Sequence, residues 1–123
     1  MSDFPRVQIE REGEVVVARI AGDVDIARVE ALRAELLDAI DNRDMALLVD
    51  LTGTSYLDSA GINMLFELAE ALGRRQIRLA VVVPEKGIVA RVATLVSLES
   101  AVPVHGSADA ALSALRDGPD SGD

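Results

Sequence analysis

The run Ala46-Leu47-Leu48-Val49-Asp50-Leu51 is apolar throughout except for one aspartate, and a few polar residues later Asp58-Ser59-Ala60-Gly61 opens a helical pattern. A short apolar run bounded by turn residues reads as a buried strand, and a strand leading directly into an amphipathic helix is a building unit of an α/β sheet. The first N–H groups of a helix have no internal partner and carry the positive end of the macrodipole, so Ser59 stands where a hydroxyl or a phosphate is stabilised by position. Two readings stay open for it. It is an N-cap worth about 1 kcal/mol, or it is a site of phosphorylation.

The segments on either side fit the same plan. Val7 to Arg11 alternates apolar and polar, Glu12-Gly13 interrupts, and Val15 to Ile20 resumes, which predicts an antiparallel hairpin. Gly22-Asp23-Val24-Asp25 reads as a loop, and Val29, Leu32, Leu36 and Ile40 then recur at helical spacing, with the helix stopping near Asn42. After Ser59, a core stripe of Ile62, Leu65, Phe66, Ala69 and Leu72 ends at Gly73 as a C′ residue. Ile77 to Val83 is a valine-rich strand closed by Pro84. Ile88, Val92, Leu95 and Val96 form a third helix face, Val102 to His105 a short strand, and Ala108 to Leu115 a closing helix capped by Ser107. The expected class is α/β, with a mixed four- to five-stranded sheet opening with an antiparallel hairpin, largely parallel thereafter and packed with about four helices. Residues 1–116 form one domain, and 117–123 an acidic flexible tail.

Composition narrows the function. A formal charge of −9 disfavours nucleic-acid backbones and anionic membranes, and with Phe4, Tyr56 and Phe66 as the aromatic residues there is little on which a base could stack. Without cysteine there is no disulfide framework or thiolate chemistry, and His105 alone makes no histidine cluster. The sequence from Met1 to Arg6 lacks the apolar stretch of a signal peptide, and no run is long enough for a membrane span. The expectation is a cytoplasmic protein whose partners are proteins.

Three chemistries compete around Ser59. Gly61, inside the helix, costs roughly 1 kcal/mol relative to alanine; with Ala60 it keeps the surface low enough for a partner to reach the hydroxyl. Ala60, Met64, Leu68 and Ala71 make a second apolar stripe opposite the core stripe, either a docking surface or the mark of a more enveloped helix. Leu57-Asp58-Ser59-Ala60-Gly61 half resembles a nucleophile elbow but lacks its first glycine, and only His105 is present as a base. A receiver-like site would join Asp50, Asp23, Asp25 and Lys86 around a magnesium ion, whereas each aspartate alone also suits turn chemistry.

Taken in order, Gly22-Asp23-Val24-Asp25, Asp50-Leu51-Thr52-Gly53 and Tyr56-Leu57-Asp58-Ser59-Ala60-Gly61 resemble the STAS domain, specifically the anti-sigma factor antagonists of the SpoIIAA and RsbV type, over roughly Val7 to Leu115. The resemblance implies a STAS fold and a non-enzymatic switch. The unphosphorylated protein binds an anti-sigma factor with serine-kinase activity and frees its sigma factor, phosphorylation ends binding, and a PP2C-type phosphatase resets it. It implies Ser59 as phosphoacceptor and a contact surface of Asp25, Thr54, Asp58, Ala60, Gly61, Met64 and Leu68, with no cofactor or metal and a monomer or weak dimer. Non-switching STAS scaffolds or adaptors, in stressosomes or with transporters, are the alternative. Thr54 and Ser97-Leu98 depart from the family pattern, which has an apolar residue at the first and Gly-Leu at the second. The first would add a hydroxyl near Ser59, and the second questions how the third helix ends.

Overall fold

Alternation in the first two runs produces the hairpin. In a computed structural model that describes residues 6–117, β1 (Arg6–Glu12) pairs antiparallel with β2 (Val15–Val24), Ile9 opposite Ala18. The chain continues through α1 (Val29–Asp38), β3 (Ala46–Asp50), β4 (Thr54–Leu57), α2 (Ser59–Arg74), β5 (Arg78–Val82), α3 (Ile88–Leu95), a 3-10 turn at Leu98–Ser100, β6 (Val104–His105) and α4 (Ala108–Arg116). The six-stranded sheet runs β1-β2-β3-β5-β6, with β4 on β2, and every pairing after the hairpin is parallel. Class, hairpin and helix number match the sequence expectation, with one strand more than foreseen.

The period of two sorts the strands onto two packed faces. Val16, Ala18, Ile20, Leu47, Val49, Leu79 and Val81 lie under α1, α2 and α3. Val15, Val17, Ala46, Leu48, Ala80 and Val82 lie under Ala111, Leu112 and Leu115 of α4. Layers on both faces explain why β3 is buried at all five positions.

The extra strand is β4, expected as a polar turn. With the chain jogging at residues 51–53, β4 continues along β2 where β3 stops, so Gly22-Asp23-Val24 is strand and not loop. The register shifts between Gly22 and Asp23. Gly22 takes a φ of 102°, a backbone state open to glycine and strained for other residues, which accounts for glycine at the start of that motif.

The helix faces also need correction. On α2 the buried residues are Gly61, Ile62, Met64, Leu65, Leu68 and Leu72, an arc far wider than one stripe, because α2 packs on β4, β5 and α1 together. Met64 and Leu68 are therefore core and offer no docking surface. The helix also runs past Gly73 to Arg74, and Gln76 takes the left-handed turn with φ 61°. In α3 the buried positions are Val89 and Ala93, while Ile88, Leu95 and Val96, expected inside, face solvent. That helix ends cleanly, since Ser97 adopts φ 53° in the place of the family glycine, at a cost on the order of 1 kcal/mol. Asp117 still caps α4, and the rest of the expected tail lies outside the described residues.

One polar cluster ties the edge of the sheet to α1. Arg11 on β1 donates to the Asp44 carboxylate and to the Ala39 carbonyl at 3.1 Å, and Asp44 accepts from the Asp41 N–H at 2.7 Å. Burial pushes the Asp44 carboxyl up, but the hydrogen bonds from Arg11 and Asp41, with the charges of Arg11 and Arg43, outweigh it and hold the group below the usual aspartate value. A lowered folded value means this stabilisation is present at neutral pH and is lost as pH falls through that value. Asp44→Asn is expected to cost about 1.5–3 kcal/mol at pH 7, the worth of a hydrogen bond to a charged group. Thermal melts from pH 7 downward check this: the gap between wild type and variant must narrow with acid, and a gap independent of pH would refute the assignment.

Candidate functional site

The end of the sheet where β2 and β4 finish carries the serine. Asp58, in extended conformation, is the N-cap of α2, and its carboxylate accepts from the N–H groups of Ala60 at 3.0 Å and Gly61 at 3.2 Å. Ser59 is the first helical residue, exposed, with no side-chain hydrogen bond to any described residue. The cap reading of Ser59 is thus displaced by its neighbour, leaving the hydroxyl free at the positive end of a 16-residue helix.

Asp25 comes to the same place. Val24 pairs with Leu57, so the parallel register sets Asp25 beside Asp58. Its carboxylate accepts from the Ala27 N–H at 3.1 Å and from the Arg28 guanidinium at 2.6 Å, and its carbonyl accepts from the N–H groups of Arg28 and Val29. Asp25 therefore shapes the entry to α1 as well as lying at this edge.

Gly61 and Thr54 have other roles than those expected. A Cβ at buried Gly61 would collide with the Leu57 side chain and come within 3.2 Å of Val24 Cγ1. Glycine there lets α2 seat closely against the ends of β2 and β4, where a Cβ would force the Leu57 side chain to shift, and being buried it clears no path for a partner. Thr54 is buried, and its hydroxyl donates to the Ile20 carbonyl at 2.8 Å, so it adds nothing beside Ser59. Of the expected contact set, Ser59 is exposed and Asp25, Asp58 and Ala60 are partly exposed at this edge; Thr54, Gly61, Met64 and Leu68 are interior.

What the sequence reading missed is the apolar surface nearby. Ile26, directly after Asp25, is 76% exposed, and Tyr56 on β4 is 40% exposed. α3 packs against β4 and leaves Leu95 83% exposed, with Ile88 also in solvent and the cations Lys86 and Arg91 alongside. The isolated isoleucine after the Gly-Asp-Val-Asp motif was the signal available for Ile26, since an apolar side chain in a short polar loop has no neighbour in sequence to cover it.

The enzymatic arrangements do not assemble. His105 is on β6, separated by β5 and β3 from the β2–β4 pair that carries Ser59. The Asp50 carboxylate is buried and engaged, accepting from the Thr52 N–H at 2.9 Å and hydroxyl at 2.8 Å, with Arg19 at 3.8 Å. Among the described residues no group of three or more His, Asp or Glu side chains is placed to hold a metal ion, and no helix is long and apolar enough to cross a membrane.

Known proteins share this architecture. The chain is 29% identical over 112 residues to BtrV of Bordetella bronchiseptica, named as an anti-sigma factor antagonist, covering 90% of this chain and 95% of that one. The structure of an anti-sigma factor antagonist from Mycobacterium paratuberculosis superposes with a TM-score of 0.81 at 27% identity, over 92% of this chain and 95% of the other. The Bacillus cell fate determinant SpoIIAA, in its phosphorylated form, shares the fold with a TM-score of 0.63 at 22% identity, over 90% of this chain and 100% of that one. The STAS domain itself matches residues 6–111, from the first residue of β1 into α4 and including the whole Ser59 edge, and the chain belongs to the STAS domain family.

Proposed function

We propose that this chain is a partner-switching regulator without catalysis of its own, acting in the cytoplasm as one domain. Unphosphorylated, it binds an anti-sigma factor that is also a serine kinase and so frees a sigma factor. Transfer of phosphate to Ser59 ends the complex, and a PP2C-type phosphatase restores it. The observation that carries this reading is an exposed Ser59 relieved of capping by Asp58 at the head of α2. The relatives named as anti-sigma factor antagonists support it.

The docking surface moves from α2 to its surroundings. Asp25 and Asp58 form its polar part; Ala60, Ile26, Tyr56, Ile88 and Leu95 supply apolar area, the kind of side chain that anchors a contact when a partner covers it. Phosphate adds about −1.5 to −2 charge. It does so beside Asp58 in a chain already at −9, and it is accommodated within the molecule by the helix N-terminus. Binding is then lost by repulsion and obstruction while the fold stays.

Two measurements test this. Incubated with its cognate kinase, the wild-type chain is labelled and Ser59→Ala is not; equal labelling of both, or phosphate on Asp50, sinks the assignment. Leu95→Asp is expected to weaken capture of the kinase by about 2 kcal/mol, as for a contact hot spot, with an unchanged melting temperature. Phosphate absent from Ser59 in protein taken from its own cell under every growth condition would favour a STAS scaffold.

A further inference from the structure

The outer edge of β1 is a second open surface. β1 is the terminal strand of the sheet, and among the described residues its backbone bonds only to β2. Of its seven residues only Val7 is partly buried. A strand of that length with a free row of N–H and C=O groups is a template for another strand, and edges that must remain single are blunted by proline, bulges or charges. β1 has neither proline nor bulge, and its charges are of both signs in a self-matching order.

Laid antiparallel on a second copy about a two-fold axis at Ile9, the strand sets Arg6 opposite Glu12, Val7 opposite Arg11, Gln8 opposite Glu10 and Ile9 opposite Ile9. A one-residue slip brings Arg6 against Arg11, and centring on Glu10 brings that carboxylate against itself. Centring on Gln8 keeps Arg6 opposite Glu10 but leaves Arg11 and Glu12 outside the pairing. Only the Ile9 register uses the whole strand with opposite charges matched, and it keeps each face of one sheet continuous with the same face of the other. Ile9, 39% exposed beside Ala18, gains cover from its own counterpart. Glu12 already meets Arg116 at 3.7 Å and Glu10 meets Arg19 at 2.6 Å, yet both stay about half exposed, with room for the arginine of a second copy at Glu12.

We propose that two copies of this chain associate through antiparallel pairing of β1 with β1 about Ile9, joining their sheets into one. Such a contact is isologous, the same patch used by both partners. β4 pairs β2 on the side away from β1, so the Ser59 ends lie outside the contact, and the dimer presents two of them.

Sedimentation equilibrium of the full chain over a range of concentrations tests this, with circular dichroism melts as the control for folding. The expected result is a monomer–dimer equilibrium. Arg6→Glu or Glu12→Arg alone converts two attractive pairs into two repulsive ones and raises the dissociation constant about tenfold, and the double reversal returns it to within about threefold of wild type. Both side chains are exposed, so the folded state tolerates these changes. A chain that remains monomeric throughout overturns the proposal. So does a dimer indifferent to the single reversals, or one that the double reversal fails to restore.

Discussion

Leu68→Glu is expected to leave the chain unfolded at room temperature, and Met64→Lys to do the same. Both side chains are essentially inaccessible, Leu68 at 0% and Met64 at 1% exposure, in the core cluster shared by β2, β3, β5 and the three helices above them. Among the described residues no lysine or arginine is buried, and the buried carboxylates of Asp44 and Asp50 are already engaged by Arg11, Asp41 and Thr52. Burying an unpaired charge costs several kcal/mol on top of the lost packing, against a total stability of about 5–15 kcal/mol for a domain. The milder Leu68→Ala separates packing from charge: it should cost about 3 kcal/mol through the cavity it leaves, or roughly 10–15 °C in melting temperature. Denaturant titration and thermal melts read these outcomes. Folded, stable Leu68→Glu protein that merely lost a partner would mean that α2 presents this side outward, contrary to the packing described.

Ser59→Glu is expected to act in the opposite way, abolishing capture of the anti-sigma factor while leaving the fold intact. Placing a carboxylate in the proposed contact, which already includes Asp25 and Asp58, should weaken binding by about 3 kcal/mol, roughly a hundredfold in dissociation constant. Stability moves the other way if at all, because an acidic side chain in the first turn of a helix gains about 0.3–1 kcal/mol from the dipole. Ser59→Ala retains binding, since the capping bonds belong to Asp58. Calorimetric titration against the partner, paired with a melt of each variant, checks both signs. A Ser59→Glu variant that binds as wild type would remove charge at this edge as the basis of the switch.

The contrast between these two substitutions follows what could be read along the chain. The hairpin, β3, the start of α2 and the Ser107 cap of α4 were legible because each is a local rule: alternation, an apolar run between turns, a polar residue before a periodic segment. The four residues of β4 carry no such signature, as two of them face solvent and the strand exists only because β2 extends past the end of β3. Periodicity leaves the second apolar stripe of α2 open between a docking surface and an enveloped helix, and tertiary packing decides for the second, since this helix is enclosed on several sides at once. For the eight residues of α3, apolar almost all round, periodicity cannot choose a face; the choice falls to β4, an element the sequence hides. The serine was legible by residue type and place, but its freedom depended on whether Asp58 or Ser59 took the cap, a matter of one residue in the helix start.

That one-residue difference separates two kinds of selection. Helix α2 is held at its head by Asp58 and seated against Leu57 and Val24 through Gly61, none of which is the serine. Position 59 can therefore gain or lose its hydroxyl without the molecule losing its shape. A lineage could silence or restore the proposed phosphorylation signal here by a single change invisible to the machinery that clears misfolded chains, while the residues on either side stay fixed by the demands of folding.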